Sequence, residues 1–504
     1  MSRLAMPPLT PFAGPPRLPQ APGARPRFWS EADCHDLLAR LARVAEGGGT
    51  TNVLVWSSWT GNVRWARNQI SSASEVRNNY IRVGRNVNGA QNAWLLVNDD
   101  GDAALVRTAR EAERLARLVA ERPQAALYSH FVDEPTPPTA PLFFETTYAL
   151  DADRRAAAAE QLMQAAGQSG MLSAGYLEVG AHSMAVLSTD GHARYCQYTT
   201  AQYSVTVRDP TGMGSGWAGI DWPDWNKIDG TALSALALEK CLKSRNPVAI
   251  EPGRYTTILE PQAVGDLLIP MMQSSALLQY FPTNDAPTEG PFSTSPRTYQ
   301  AKKGQRVIDA RLTLVADPAD PDLAFPPFNP MQAVDGQDEE FNLDYDVYHP
   351  ATWIEQGVLK TLAYDRNFAR DRFGENLGLP NSGAVRMRVE GPTMSLDEMI
   401  ATTTRGLLVT RFDGVLLLNE NSQLCRGYTR DGLWLIERGK LSKAVKNLVF
   451  TESVLFALNN VEQAGVPQRV FHPKPEKIRA TPQPVIVPAL KVKDFSFTAL
   501  TSAI

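Results

Sequence analysis

The densest group of candidate metal ligands in the sequence lies in residues 344–349. Alternate side chains of a strand share a face, so Asp344 and Asp346 would point the same way, and His349 would join them after a turn. Two carboxylates and an imidazole are suitable ligands for a divalent cation. The same run also fits a solvated strand edge that leads into Pro350, and we favour that interpretation.

A glycine motif at residues 214–219 matches the GxGxxG pattern of dinucleotide-binding proteins. That pattern works only where it joins a strand to a helix, whose N-terminus then meets the pyrophosphate. Pro223 follows with Trp217, Trp222 and Trp225 nearby, which does not fit such a helix. We therefore predict a flexible turn and no nucleotide site.

Two further features have structural explanations that we prefer. The acidic run with Asp317, Asp320 and Asp322 lacks the glycine and the distal glutamate of an EF-hand, so it predicts a solvated loop. Cys425 would need a histidine close to it in the fold to act as a nucleophile. A thiol that packs as a small apolar group is the simpler interpretation.

Cysteine and histidine are scarce and scattered. The sequence has 4 cysteines and 6 histidines, with no CxxC pair and no HExxH motif. Zinc ribbons, thioredoxin-like redox motifs and a disulfide scaffold are thereby excluded. We expect reduced thiols in a cytoplasmic protein.

Composition is that of an ordinary globular protein: of 504 residues, 43% are hydrophobic and 21% are charged, with a net charge of −4. Such a balanced surface predicts no binding to nucleic acid or anionic lipid. The longest apolar stretches, 267–272 and 415–418, fall far short of the roughly 20 residues that span a bilayer. We therefore expect a soluble protein that has no membrane partner.

The elements that must position these residues indicate an α+β protein with several domains. A helical pattern starts at the N-cap candidate Ser30, with Leu37, Leu38, Leu41 and Val44 at helical spacing, and the three glycines at 47–49 end it. Further helical patterns cover 103–121, 151–167 and 229–244, and strand-like runs cover 52–59, 61–71, 75–88, 93–98, 173–179, 183–189 and 194–207. We predict a disordered proline-rich tail (1–29), an N-terminal α+β domain (30–122), a proline-rich linker (123–141), a small middle α+β domain (142–250) and a large β-dominated C-terminal domain with a curved or barrel-like sheet (251–498).

The C-terminal half carries several motifs in an order that resembles the TldD/PmbA (TldE) family. These motifs lie at residues 251–264, 353–359, 363–373, 427–440, 444–447, 452–453, 458–462 and 487–498. The resemblance implies cytoplasmic proteins that act in pairs and process peptides. A TldD-like subunit carries a zinc site, formed by an HExxxH helix and a cysteine near the C-terminus, and a TldE-like subunit lacks it. Together they resemble a heterodimeric metalloprotease that encloses its active site and trims unfolded or extended peptides, including leader peptides and antitoxins.

This sequence departs from the metal motif of that family. The HExxxH positions fall on residues 269–274, where Ile269 has no donor atom, Pro270 is no base and Ser274 is a poor zinc ligand. No histidine lies between His192 and His349, and no cysteine follows Cys425. The chain therefore resembles the metal-free, TldE-type member. We predict no catalytic, cofactor-binding or metal-ligating residue in it, and zinc in a TldD-like partner.

Two alternatives remain open. The chain is either a subunit that completes the chamber and holds an extended peptide, with residues 404–436 as one candidate surface, or a stand-alone homodimeric binding or assembly protein without protease activity. A third hypothesis keeps catalysis in this chain through Asp344, Asp346 and His349, or through Cys425. Whether the chain is itself an enzyme stays undecided by its sequence.

Overall fold

A computed structural model describes most of the chain: residues 28–46, 48–87, 90–97, 99, 101–120, 136–272, 278–279, 302–328, 347–364, 384–419, 422–472 and 482–501. The described helices are α1 (Glu31–Val44), α2 (Asp102–Ala120), α3 (Glu145–Tyr148), α4 (Ala152–Gln168), α5 (Gly230–Lys243), α6 (Pro261–Met272), α7 (Leu396–Ala401) and α8 (Val454–Asn459). Residues 1–27 of the predicted tail and most of the linker predicted at 123–141 lie outside the described residues. Phe28 and Trp29, the last two residues of the tail predicted to be disordered, pack instead against core clusters of the N-terminal half.

The strands of the N-terminal half are β1 (Thr50–Ala66), β2 (Gln69–Val87), β3 (Ala90–Val97), β4 (Leu172–Ser188), β5 (Ala193–Arg208) and β6 (Ser215–Trp222). Those of the C-terminal half are β7 (Gly253–Leu259), β8 (Leu278–Gln279), β9 (Leu312–Ala316), β10 (Ala351–Glu355), β11 (Val358–Leu359), β12 (Ala363–Tyr364), β13 (Val385–Val389), β14 (Arg405–Asn419), β15 (Leu424–Glu437), β16 (Lys440–Ala444), β17 (Leu448–Ser453), β18 (Val461–Ala464), β19 (Gln468–Val470), β20 (Val485–Val487) and β21 (Leu490–Leu500). The predicted α+β class is confirmed, as is the barrel-like sheet near the C-terminus.

One sheet joins the two N-terminal segments. Its strand order is β3-β2-β1-β4-β5-β6, with β1 antiparallel to both β2 and β4. Residues 30–122 and 142–250 thus contribute three strands each to this first sheet. The division into two domains stays a prediction, while the strands on either side of it share one ladder of hydrogen bonds.

Helices cover one face of the first sheet and begin where the sequence predicts. Ser30 caps α1 in a capping box with Asp33, and the Asp229 side chain accepts a hydrogen bond from the first turn of α5. Below α1 and α2 lie Val53 and Val83, and below α4 and α5 lies a second cluster that includes Trp65. The helix predictions for these segments are confirmed.

The predicted strand breaks near residues 60 and 180–182 are wrong. β1 and β4 run through both positions, and the hairpin turn falls instead on Arg67 and Asn68, whose φ angles are 52° and 59°. Gly61 stays inside β1 because the guanidinium of Arg155 packs against its backbone: a Cβ there would lie 2.5 Å from Arg155 Cζ. The glycine marks a close approach, and no turn occurs at that position.

The C-terminal half contains a second sheet, ordered β11-β10-β9-β13-β20-β19, and a closed barrel. Strands β14, β7, β21, β17 and β15 follow one another around the barrel, which closes because β14 also pairs with β15. Phenylalanine rings fill it: the Phe450 ring centroid lies 4.4 Å from that of Phe412 and 5.6 Å from that of Phe495. β8 and β12 form a separate parallel pair.

A helix that spans a membrane needs a minimum length and hydropathy. Among the described helices, none is both long and apolar enough to cross a bilayer.

The packing of the barrel core predicts that removal of one phenylalanine ring lowers the free energy of unfolding substantially. Phe450→Ala removes a side chain that is 0% exposed, so we expect the free energy of unfolding to fall by about 3–5 kcal/mol. Chemical denaturation followed by circular dichroism measures this change. Phe456→Ala is the matched control: this residue of α8 is 40% exposed, and its loss should cost about 1 kcal/mol or less. Equal costs for the two variants would contradict the assigned barrel core.

Candidate functional site

Helix α6 occupies the position where the resemblance places a metal-binding helix. It packs against β14, β19 and β20. The approach to β19 is close, since a Cβ on Gly265 would lie 2.8 Å from Val470 Cγ2. The helix therefore sits directly on the second sheet and on the barrel wall.

The side chains in the last turn of α6 pack mainly into the apolar core. Met271 and Met272 are buried, and Ile269 packs against the same core cluster. Pro270 lies inside the helix and has no backbone N–H to donate. Gln273 and Ser274, the remaining positions of the expected motif, lie outside the described residues. Over the described residues as a whole, no three His, Cys, Asp or Glu side chains come together as a metal-binding group.

Asp266 is the titratable residue of α6. Gln262 Nε2 donates a hydrogen bond to its Oδ1 over 2.9 Å, and the backbone N–H of Phe412 donates to its Oδ2 over 2.8 Å. Burial of the carboxyl group raises its pKa to about 6, although the positive charge of Arg411 and the two donors act in the opposite direction. Asp266 thereby fastens α6 to β14.

A network of charges continues from β14 to the first sheet. The Arg411 guanidinium lies 4.7 Å from the centre of the Trp217 ring and 3.6 Å from an Asp431 carboxylate oxygen. Ser215 donates a hydrogen bond to the buried Asp431. These contacts hold β6, an edge strand of the first sheet, against the barrel.

The glycine motif at 214–219 leads into β6, and its first two glycines, Gly214 and Gly216, allow helix α5 to approach. A Cβ on Gly216 would overlap Ala237 O and Cys241 N, and a Cβ on Gly214 would lie 2.7 Å from Cys241 O. A strand and a short 3₁₀ turn replace the helix that a dinucleotide site requires. The expected flexible turn is wrong, because residues 215–219 form part of a strand.

The acidic run forms ion pairs inside the protein. Arg386 Nε lies 2.6 Å from Asp320 Oδ2, and Arg386 Nη2 lies 3.2 Å from Asp322 Oδ2. The Asp317 carboxylate accepts a hydrogen bond from the N–H of Ala319, as in a turn. This arrangement matches a structural loop.

The remaining candidates do not assemble into a site. His349 is described, whereas Asp344 and Asp346 lie outside the described residues, so their juxtaposition stays a hypothesis. Cys425 is fully buried in the barrel core, and burial raises the pKa of its thiol to about 11. Very little of it is the reactive thiolate at neutral pH.

A cleft lies between the first sheet and the C-terminal half. It opens to solvent, and its cavity volume is about 30 Å³. Glu178, Gln202 and Trp222 line it from the sheet, and Pro326 and Arg469 line it from the C-terminal side. The cleft is therefore a junction of the two halves of the chain.

Polar side chains form a row across the floor of this cleft. Glu178 of β4 lies directly opposite Gln202 of β5, which lies opposite Asp221 of β6, so the three side chains share one face of the sheet. Tyr176 Oη donates to Glu178 Oε2 over 2.6 Å, and Gln202 Nε2 donates to Glu178 Oε1 over 3.2 Å. Both oxygens of Glu178 are thus held in fixed positions.

Arg469 forms the opposite wall. Its Nη2 donates to Asp221 Oδ2 over 2.9 Å, and its guanidinium carbon lies 4.4 Å from the centre of the Trp222 ring. The backbone N–H of His472 donates to the other Asp221 oxygen. Asp221 and Arg469 therefore neutralise each other and anchor β19 to β6.

Sequence reasoning missed this row. Its only signal is the alternation of polar residues along two strand-like runs, at 176 and 178 and at 200, 202 and 204. Alternation predicts which residues share a face, but the register that aligns Glu178 with Gln202 and Asp221 is set by tertiary pairing.

Comparison with known proteins gives one family match. The sequence profile of the PmbA/TldA metallopeptidase C-terminal domain matches residues 252–499. No curated protein sequence matches the chain significantly.

Solved structures share the fold along nearly the whole chain. TldE from Thermococcus kodakarensis is similar with a TM-score of 0.71 and 15% identity, over 92% of this chain and 99% of that one. A protein from Bacteroides thetaiotaomicron described as a modulator of DNA gyrase has a TM-score of 0.69 and 17% identity, over 94% and 100%. A Thermotoga maritima protein of the same description has a TM-score of 0.71 and 13% identity, over 92% and 100%. Identities this low establish the fold alone.

Gly216 provides a test of the strand–helix contact. Gly216→Ala would insert a methyl group between β6 and the backbone of α5, so we expect the free energy of unfolding to fall by about 1–3 kcal/mol. Gly48→Ala is the matched control, because nothing lies within 4 Å of a Cβ at that position. Urea denaturation of both variants measures the difference. A stable Gly216→Ala variant would contradict the described packing of α5.

Asp266 predicts a pH dependence of stability. An unfolded aspartate titrates near pH 4, whereas the folded pKa is about 6. The folded state therefore holds the proton more tightly, and the stability contributed by this residue falls as the pH rises from about 4 to about 6, by about 3 kcal/mol, and is constant above. Asp266→Asn removes this titration. Urea denaturation across that range should show the difference between the two proteins changing with pH, and a constant difference would contradict the raised pKa.

Proposed function

Because this chain belongs to the PmbA/TldD metallopeptidase family, we propose that it is the metal-free, TldE-type subunit of a two-subunit peptidase. Its partner is a TldD-like chain that carries the HExxxH zinc site. The pair trims unfolded or leader peptides. This chain contributes walls of the chamber and contacts to the peptide.

The chemistry of the last turn of α6 carries the proposal. Protein-bound zinc needs imidazole, thiolate or carboxylate ligands, and a catalytic site keeps one position open for water. Ile269, Met271 and Met272 offer aliphatic and thioether groups, which pack into the core. The described part of this turn therefore offers no imidazole, thiolate or carboxylate to a metal ion.

The cysteine nearest to the C-terminus supports the same interpretation. Cys425 belongs to the apolar core cluster that also contains Met271. Burial keeps its thiol protonated at neutral pH, and a zinc ligand must be the thiolate. This thiol therefore fits packing better than metal binding.

The far end of β14 offers a place for an extended peptide. Among the described strands, β7 pairs only with residues 407–409 of β14, so the stretch beyond has β15 as its neighbour on one side. Leu416 and Leu418 are 66% and 53% exposed there. A peptide that adds to such an edge is held by backbone hydrogen bonds, which accept many sequences. The rest of residues 404–436 lies mainly in the barrel, as core packing requires.

Purification with and without the partner tests the proposal. We expect the chain alone to hold no stoichiometric zinc and to leave an unfolded peptide intact. Co-expression with an HExxxH-bearing relative from the same host should give a complex with about one zinc ion per pair and cleavage that a chelator abolishes. Metal analysis, size-exclusion chromatography and a peptide-cleavage assay measure these outcomes.

A partner variant with the motif's glutamate replaced by glutamine is the control, since it should retain pairing and zinc while losing cleavage. Chelator-sensitive cleavage by the isolated chain would overturn the proposal. A stable self-dimer that does not exchange with the relative would favour the alternative, a stand-alone binding or assembly protein.

A further inference from the structure

Glu178 is a fixed carboxylate without a counter-ion. Tyr176 and Gln202 hold its two oxygens, yet in the described part of the chain no lysine, arginine or histidine forms an ion pair with it. Arg64, on the same face of the sheet, lies instead over the Tyr176 ring, 5.5 Å from its centre. Within the described residues, Glu178 thus presents its carboxylate to the cleft without an ion pair.

The other charges of the cleft cancel. Arg469 is paired with Asp221, and its remaining nitrogens donate to the backbone oxygens of Asp221 and Asp322. Its side chain is 4% exposed, so it cannot swing across to Glu178 without breaking these bonds. Among the described charged residues that line the cleft, Glu178 is the one that has no ion pair.

The surroundings of Glu178 suit a group that donates several hydrogen bonds. Gln202 donates one amide N–H to Glu178, and its side-chain oxygen is an acceptor beside that carboxylate. Thr200, two residues along β5, lines the same cleft, and its hydroxyl lies 3.0 Å from His182 Nε2. A carboxylate beside neutral acceptors favours a cation with several N–H groups.

From this charge and these acceptors, we propose that the cleft binds an arginine or lysine side chain of an extended polypeptide, with Glu178 as the counter-ion. The inference deepens the proposed function and rests on it, because it assigns a preference for basic residues to the peptides that the complex handles. None of the residues that line the cleft belongs to α6, so the basic side chain is bound outside the helix where the family motif falls.

Binding to the purified full-length chain tests the inference without any partner. The probes are two acetylated and amidated hexapeptides that differ only in one residue, arginine or its neutral isostere citrulline. Isothermal titration calorimetry should show that the arginine peptide binds about tenfold more tightly, as one desolvated charge-assisted contact provides. Glu178→Gln should reduce this ratio to about one.

Glu160→Gln is the matched control, because it removes the same charge from an exposed position on α4. It should retain the preference for arginine. Equal affinity of the unmodified chain for both peptides would overturn the inference, and so would a preference that survives Glu178→Gln. The two proposals can fail separately. Pairing with a zinc-bearing relative can fail while the arginine preference holds, and the complex can form although the arginine preference is absent.

Discussion

The closure of the barrel is the constraint on which the C-terminal half depends. Pairing between β14 and β15 returns the sheet to its first strand, so the interior must be filled by side chains. Phenylalanine rings fill it, and α6 covers the wall with Met271 and Met272 turned inward. In the described part of the last turn of this helix, the side chains of Met271 and Met272 contribute to the core that the barrel shares with α6.

Strand β6 links the two halves of the molecule. Its Ser215 and Trp217 contact charged residues of the barrel, and its Asp221 binds Arg469 of β19. Buried charged contacts of this kind are costly to break singly, because a lone partner would remain desolvated. The cleft thus has a stiff wall and a stiff floor. Such rigidity suits recognition of a flexible peptide, since the site loses little freedom on binding.

Local signals made part of the fold predictable. Ser30 and Asp229 mark helix starts by their own hydrogen bonds, and the barrel-like character follows from many short strands. The strand breaks predicted near Gly61 and Gly180 do not occur. In sequence, a glycine that allows Arg155 or the ring of His182 to pack against the strand cannot be distinguished from a glycine that forms a turn. The row of Glu178, Gln202 and Asp221 was not predictable, since it exists only through the register of three strands. The apolar character of residues 269–272 could be read directly from their side chains.

The pairing of β7 with β21 sets an order of events during synthesis. It joins residue 259 to residue 490, so the barrel cannot close until nearly all of the intervening chain has left the ribosome. The first sheet, by contrast, is complete once β6 emerges. The first sheet of the nascent chain can therefore form before β21 is available to pair with β7. In that interval the apolar side chains of β7 and β14 are exposed, and chaperones can bind them.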